Sequence, residues 1–147
     1  MYLIYNKRKQ NNANSLHSTT FVYLLVLIFC ISLSGCHESL EKRAARVASD
    51  YTERNCPTPI INCSRTDSVT FDEATKTFTY YCSFFDVLDN EENIAKNYKE
   101  LDEGLRDIAL GNTSLKTYVD AGFTFRYIVH SASNPEKVLF KNSYKHK

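Results

Sequence analysis

Side chains able to do chemistry are few and widely spaced in this 147-residue chain. Its cysteines are Cys30, Cys36, Cys56, Cys63 and Cys82, and its histidines are His17, His37, His130 and His146. None of the later histidines has a second histidine or a carboxylate at metal-ligand spacing. Cys56, Cys63 and Cys82 lack the fourth ligand of a tetrahedral zinc site, so no metal and no other cofactor is expected. Cys82 with His130 would make a thiol–imidazole pair for nucleophilic catalysis. The plainer reading is a core thiol and a strand-end histidine, and no catalytic residue is assigned. The four glycines are scattered singly and form no phosphate-cradling loop. Glu91-Glu92 and Asp102-Glu103 read as the solvated face of a helix rather than an acid–base dyad. The polar residues of most interest are Arg65 with Asp67, and Arg126 and Tyr81 in aromatic strands. They read either as strand-surface charges or as anchors of a recognition surface, where arginine and tyrosine are enriched.

Periodicity supplies the elements that must position these groups. Leu40, Ala44, Val47, Ala48 and Tyr51 form one stripe of a 3.6-residue period, predicting a helix from Ser39 to Asn55. Cys56-Pro57-Thr58-Pro59 ends it, because proline has no N–H for the helix ladder. Val69 and Phe71, a polar turn over 72–76, and alternating Phe78, Tyr80, Cys82 and Phe84 predict a hairpin. A second helix opens at Asn90-Glu91-Glu92 and stops at Gly111-Asn112. Its stripe is Ile94, Tyr98, Leu101, Leu105 and Ile108, and Gly104 is a weak interior position costing about 1 kcal/mol relative to alanine. A short helical piece over 114–120 precedes a second hairpin, in which 123–129 pairs with 137–141. The order helix, hairpin, helix, hairpin predicts an α+β domain of two αββ units, with a four-stranded antiparallel sheet and the helices packed on one face.

The amino-terminal segment has a different logic. Lys7, Arg8 and Lys9 precede an apolar run from Phe21 to Ile31, about a dozen residues where a spanning helix needs roughly 20. That is the build of a secretory signal peptide. Leu33-Ser34-Gly35-Cys36 resembles the lipobox of bacterial lipoproteins. The resemblance implies that residues 1–35 are removed, that Cys36 is lipidated, and that 36–38 form a short tether to a single domain over 39–147. The mature chain would then have 112 residues and a formal charge of −2, with no field for nucleic acid. Cys56, Cys63 and Cys82 would be left in a disulfide-permissive compartment, with one bridge and three possible pairings.

Cys56-Pro57, then Arg65-Thr66-Asp67-Ser68, then Tyr80-Tyr81 and Gly122-Phe123-Thr124-Phe125-Arg126-Tyr127, are similar to small exported bacterial proteins of αββαββ-like build. That resemblance implies no activity. Taken together these features predict a non-catalytic binding or envelope-assembly lipoprotein, with an inhibitor or immunity role included. It would be held in the bacterial cell envelope by lipidated Cys36 and would act on a membrane-proximal protein partner. The alternative is a small thiol-dependent envelope enzyme.

Overall fold

A computed structural model describes residues 38–146. The expected signal peptide over 1–35, with Cys30, and the expected lipidation site Cys36 and neighbouring His37 lie outside the described residues. Helix α1 runs Leu40–Asn55, with Ser39 as its cap: the Ser39 hydroxyl accepts from the Lys42 N–H at 3.2 Å. Strands β1 (Ser64–Asp72) and β2 (Thr77–Phe84) follow. Helices α2 (Glu91–Lys96), α3 (Tyr98–Gly111) and α4 (Lys116–Asp120) come next, and β3 (Thr124–Ser131) and β4 (Val138–Lys145) close the fold.

The sheet order is β1-β2-β3-β4, and it is mixed rather than antiparallel. β1/β2 and β3/β4 are antiparallel, but β2 and β3 run parallel, with Phe78 opposite Phe125 and Cys82 opposite Val129. This corrects the antiparallel expectation. A hairpin fixes only its own pairing. The helical segment between β2 and β3 carries the chain back along the sheet, so β3 starts at the end where β2 starts.

One sheet face carries Phe78, Phe84, Phe125, Val129, Phe140 and Tyr144, all buried. Phe78 stacks on Phe125 at 5.5 Å between ring centroids and meets Tyr118 of α4 edge-on at 5.3 Å. Helix α1 buries Ala44 and Ala48 here, two small residues that let its axis come close to β1. The edge of β1 is tied to α1 by one side chain. The Thr52 hydroxyl donates to the Val69 carbonyl and accepts the Val69 N–H, both at 2.8 Å. On the opposite flank the Asp102 carboxylate of α3 accepts from Asn142 and from the Tyr144 hydroxyl, at 2.5 and 2.6 Å.

The predicted second helix is broken. At Asn97 the backbone leaves helical geometry (φ −108°, ψ 18°), and the Asn97 side-chain amide donates to the Asn93 carbonyl at 2.8 Å. Of its stripe, Ile94 is buried and Leu101 and Leu105 are half-buried, but Tyr98 and Ile108 remain 46% and 61% exposed. Among the described residues no helix is long and apolar enough to cross a membrane.

Candidate functional site: an open-face cleft and a helix-flank groove

The two sheet faces differ in what they offer. On the face turned away from the helices, β1, β2 and β3 place Arg65, Ser83 and His130 in one row by register. Arg65, Asp67, Tyr81, Ser83, Phe85 and His130 line a cleft of about 610 Å³. Three of the four residues singled out for recognition thus come together. Arg126 does not join them: it lies opposite Thr79, and its Nε donates weakly to Ser143 Oγ at 3.4 Å.

The bonds in this cleft are already made. Arg65 Nε donates to Asp67 Oδ1 and Ser83 Oγ donates to Asp67 Oδ2, both at 2.6 Å. The Arg65 guanidinium also sits 5.1 Å from the centre of the Phe85 ring. His130 Nδ1–H donates to the Pro135 carbonyl at 2.7 Å. A serine nucleophile must give its proton to a base such as histidine. Here Ser83 gives it to a carboxylate that Arg65 also occupies, and His130 is bonded to the backbone.

Strand alternation separates the other candidate pair. Cys82 faces the helices, whereas His130, opposite Ser83, faces the cleft. Burial pushes the Cys82 thiol up to about 11, and burial, with the charge of Asp67, also raises Cys56. Both shifts disfavour the thiolate that nucleophilic chemistry requires. Cys63 stands half-buried with Sγ 3.9 Å from Asp86 Oδ2. Among the described residues no three potential ligands gather as a metal site.

The groove on the flank of α2 and α3 was not foreseen. Leu88, Ile94, Leu101, Leu105 and Ile108 line a space of about 400 Å³ with Asn97 and Gly104. A Cβ built on Gly104 would meet no atom within 4 Å, so the glycine borders open space. With no side chain at this position, the groove wall is low. Of the apolar stripe that signalled a core helix, Ile94, Leu101, Leu105 and Ile108 line this groove, whereas Tyr98 packs against Phe140 at 5.2 Å between ring centroids. The surrounding segment 86–108 is acidic, with eight Asp and Glu against three Lys and Arg.

Residues 39–140 match the family described as Domain of unknown function (DUF8479), and the chain belongs to it. No curated protein matches the chain in sequence. Two solved structures share the fold. One is a candidate secreted protein from Pseudomonas aeruginosa, with a TM-score of 0.57 and 15% identity, covering 74% of this chain and 93% of that one. The other is the type 2 secretion system pilotin EpsS from Vibrio vulnificus, with a TM-score of 0.55 and 11% identity, covering 71% of this chain and 86% of that one.

Proposed function

We propose that this protein is an exported, lipid-anchored, non-catalytic module of the cell envelope that holds a partner protein in the α2–α3 groove. The observation that carries the reading is the groove itself: an apolar channel with Ile108 61% exposed and Gly104 facing open space, inside an acidic segment. Apolar anchors ringed by charge suit an amphipathic helix with lysine or arginine on its flanks. Lipidation rests on Leu33-Ser34-Gly35-Cys36, and the fold shared with a secreted-protein candidate and a secretion-system pilotin supports placement in an envelope assembly. The Arg65–Asp67–Tyr81 cleft is a second, more polar recognition surface on the other sheet face. The raised Cys56 and Cys82 thiols argue against the thiol-enzyme alternative.

A photo-crosslinking residue at position 108, in the full-length protein in native envelopes, tests this. The expected product joins position 108 to a basic amphipathic helix of one partner. Gly104→Leu, which fills the groove from an exposed helical position, should abolish the product while leaving thermal stability intact. An unchanged crosslink pattern in Gly104→Leu would rule the groove out.

A further inference from the structure

Arg126, outside the cleft, belongs to a different group on the same open sheet face. Strand alternation sends Phe140, Asn142 and Tyr144 of β4 toward the helices, where Asn142 and Tyr144 meet Asp102. Lys141, Ser143 and Lys145 therefore face the other way. Register sets Lys145 beside Thr124, Ser143 beside Arg126 and Lys141 beside Ile128. Lys141 and Lys145 are thus roughly 14 Å apart along β4, with Arg126 one strand over and between them, roughly 8 Å from each. Both lysines are exposed and Arg126 is half-buried.

These three charges are not balanced. Lys76, Lys96, Lys99, Lys116 and Lys137 each meet a carboxylate at 2.7–3.9 Å. Among the described residues Arg126, Lys141 and Lys145 form no ion pair, and residues 1–37 contain no Asp or Glu. Like charges on neighbouring strands repel, a cost that a bound anion relieves. The group also lies at the end of the sheet where α1 begins. The Thr124 N–H donates to the Lys76 carbonyl at 3.0 Å, and Lys76 Nζ meets Glu41 of α1 at 2.7 Å, so Lys145, Thr124, the β1–β2 turn and the first turn of α1 gather there. Of the acids at this end, Glu41 is taken by Lys76 and Glu38 by Arg46. Asp72 accepts within its own turn, from the Ala74 N–H at 2.9 Å and the Thr75 hydroxyl at 2.8 Å. Exposed Glu73 is left against exposed Lys42, Arg43 and Lys145. The acidic segment 86–108 packs on the opposite face of the sheet, so the charge is polarised across it.

We infer that Arg126, Lys141 and Lys145 form a binding face for the phosphate headgroups of an anionic bilayer, and that this face sets how the anchored domain sits on the membrane. The inference rests on the lipid anchor proposed above. Two observations favour a bilayer over a small soluble anion. The cations are spread over roughly 14 Å of open face instead of converging on one point, which suits an extended charged surface. The three residues from Cys36 to Ser39 reach on the order of 10 Å, so this end of the sheet stays close to the lipid. Each basic side chain near an anionic surface favours the contacting orientation about fivefold. The acidic α2–α3 flank, on the other face, is repelled by the same surface and turns to the aqueous side.

The test is lysine footprinting of the full-length protein, purified from envelopes and mixed with vesicles of phosphatidylcholine alone or with about 30% phosphatidylglycerol. An amine-acylating reagent and mass spectrometry read each lysine, with Lys99 of α3, 89% exposed, as the internal reference. Labelling of Lys141 and Lys145 should fall about fivefold or more on the anionic vesicles relative to the neutral ones, and recover at about 0.5 M salt. Arg126→Gln should weaken the protection of both lysines, and Lys145→Gln, at an exposed strand end, should weaken that of Lys141. Protection unchanged in both variants would overturn the shared face. Flotation with both vesicle types and equal labelling of Lys141 and Lys145 on each would overturn the face and leave the anchor standing. Flotation with the anionic vesicles alone would support the face and overturn the anchor, and flotation with neither would overturn both. Protection in intact envelopes that anionic vesicles fail to reproduce would overturn the bilayer in favour of an acidic macromolecule.

Discussion

The Thr52 hydroxyl ties α1 to the edge of the sheet through two hydrogen bonds, and replacing it gives a clean measurement. Val69 stands opposite Tyr80, and its own N–H and carbonyl turn outward, where Thr52 Oγ1 meets both at 2.8 Å. Thr52→Val keeps the side-chain shape and removes only the donor and acceptor. Two net hydrogen bonds at about 1 kcal/mol each set the cost near 2 kcal/mol, with water able to reach part of the freed edge. A domain of this length has an unfolding entropy of about 0.2 kcal/mol/K, so the midpoint should fall by about 9 °C. Thr52→Ser retains the hydroxyl and should lose less than about 1 kcal/mol. Urea unfolding followed by circular dichroism reads the difference, with the slope m unchanged because the same surface is exposed. Hydrogen exchange at the Val69 amide should accelerate in Thr52→Val alone. Equal stability of Thr52→Val and the parent within 0.5 kcal/mol, or equal damage from the serine and valine variants, would refute the reasoning.

Alkaline solution should weaken the fold above about pH 10. Burial raises the Tyr80 and Tyr127 phenols, whose rings stack at 4.9 Å. The native state thus keeps protons that the unfolded chain releases, and stability falls as pH climbs through the unfolded value, by about 1.4 kcal/mol per pH unit for each phenol. Urea midpoints between pH 9 and 11.5, with absorbance at 295 nm, check this, and a flat profile would contradict it. At the other end of the chain, Cys36→Ser should abolish fatty-acid labelling and move the protein out of the membrane fraction; normal labelling would exclude the lipobox reading.

Much of the fold was legible because it is local. Ser39 and the prolines after Cys56 bound α1, and the alternation of Phe78, Tyr80, Cys82 and Phe84 marks β2 with one face to the core. The direction of β3 against β2 was not legible, since nothing within either hairpin encodes how a connection of nearly forty residues returns. Ile94 to Ile108 illustrates a second limit. A 3.6-residue stripe says that a surface is apolar, not what covers it, and the break at Asn97 together with the low wall at Gly104 leaves part of the stripe bare. Arg65 and Asp67 were visible only as neighbouring opposite charges, and the register irregularity between Thr66 and Ser68 was not. Ser83 and His130 joined them only through cross-strand register. Arg126 shows the converse: a promising residue two rows from the cleft, because register rather than residue type decides membership.

The helices cover two different flanks of the sheet. Helix α1 covers the β1 side of the sheet, and its first turn is tied down by Arg46 to Glu38 at 2.5 Å and by Lys76 of the β1–β2 turn to Glu41 at 2.7 Å. Helix α3 covers the β4 side, held by Asp102, and the groove opens on that flank. On the proposed reading, a partner helix seated against Leu105 and Ile108 binds on the flank away from α1. Ser39 begins the helical cap only three residues after Cys36, a reach on the order of 10 Å. On the proposed reading, so short a tether keeps α1 at the bilayer, with exposed Lys42 and Arg43 available to anionic headgroups, while the acidic flank around α3 stays away from that charge. The membrane then orients the domain, and the groove is left free to select its partner by charge.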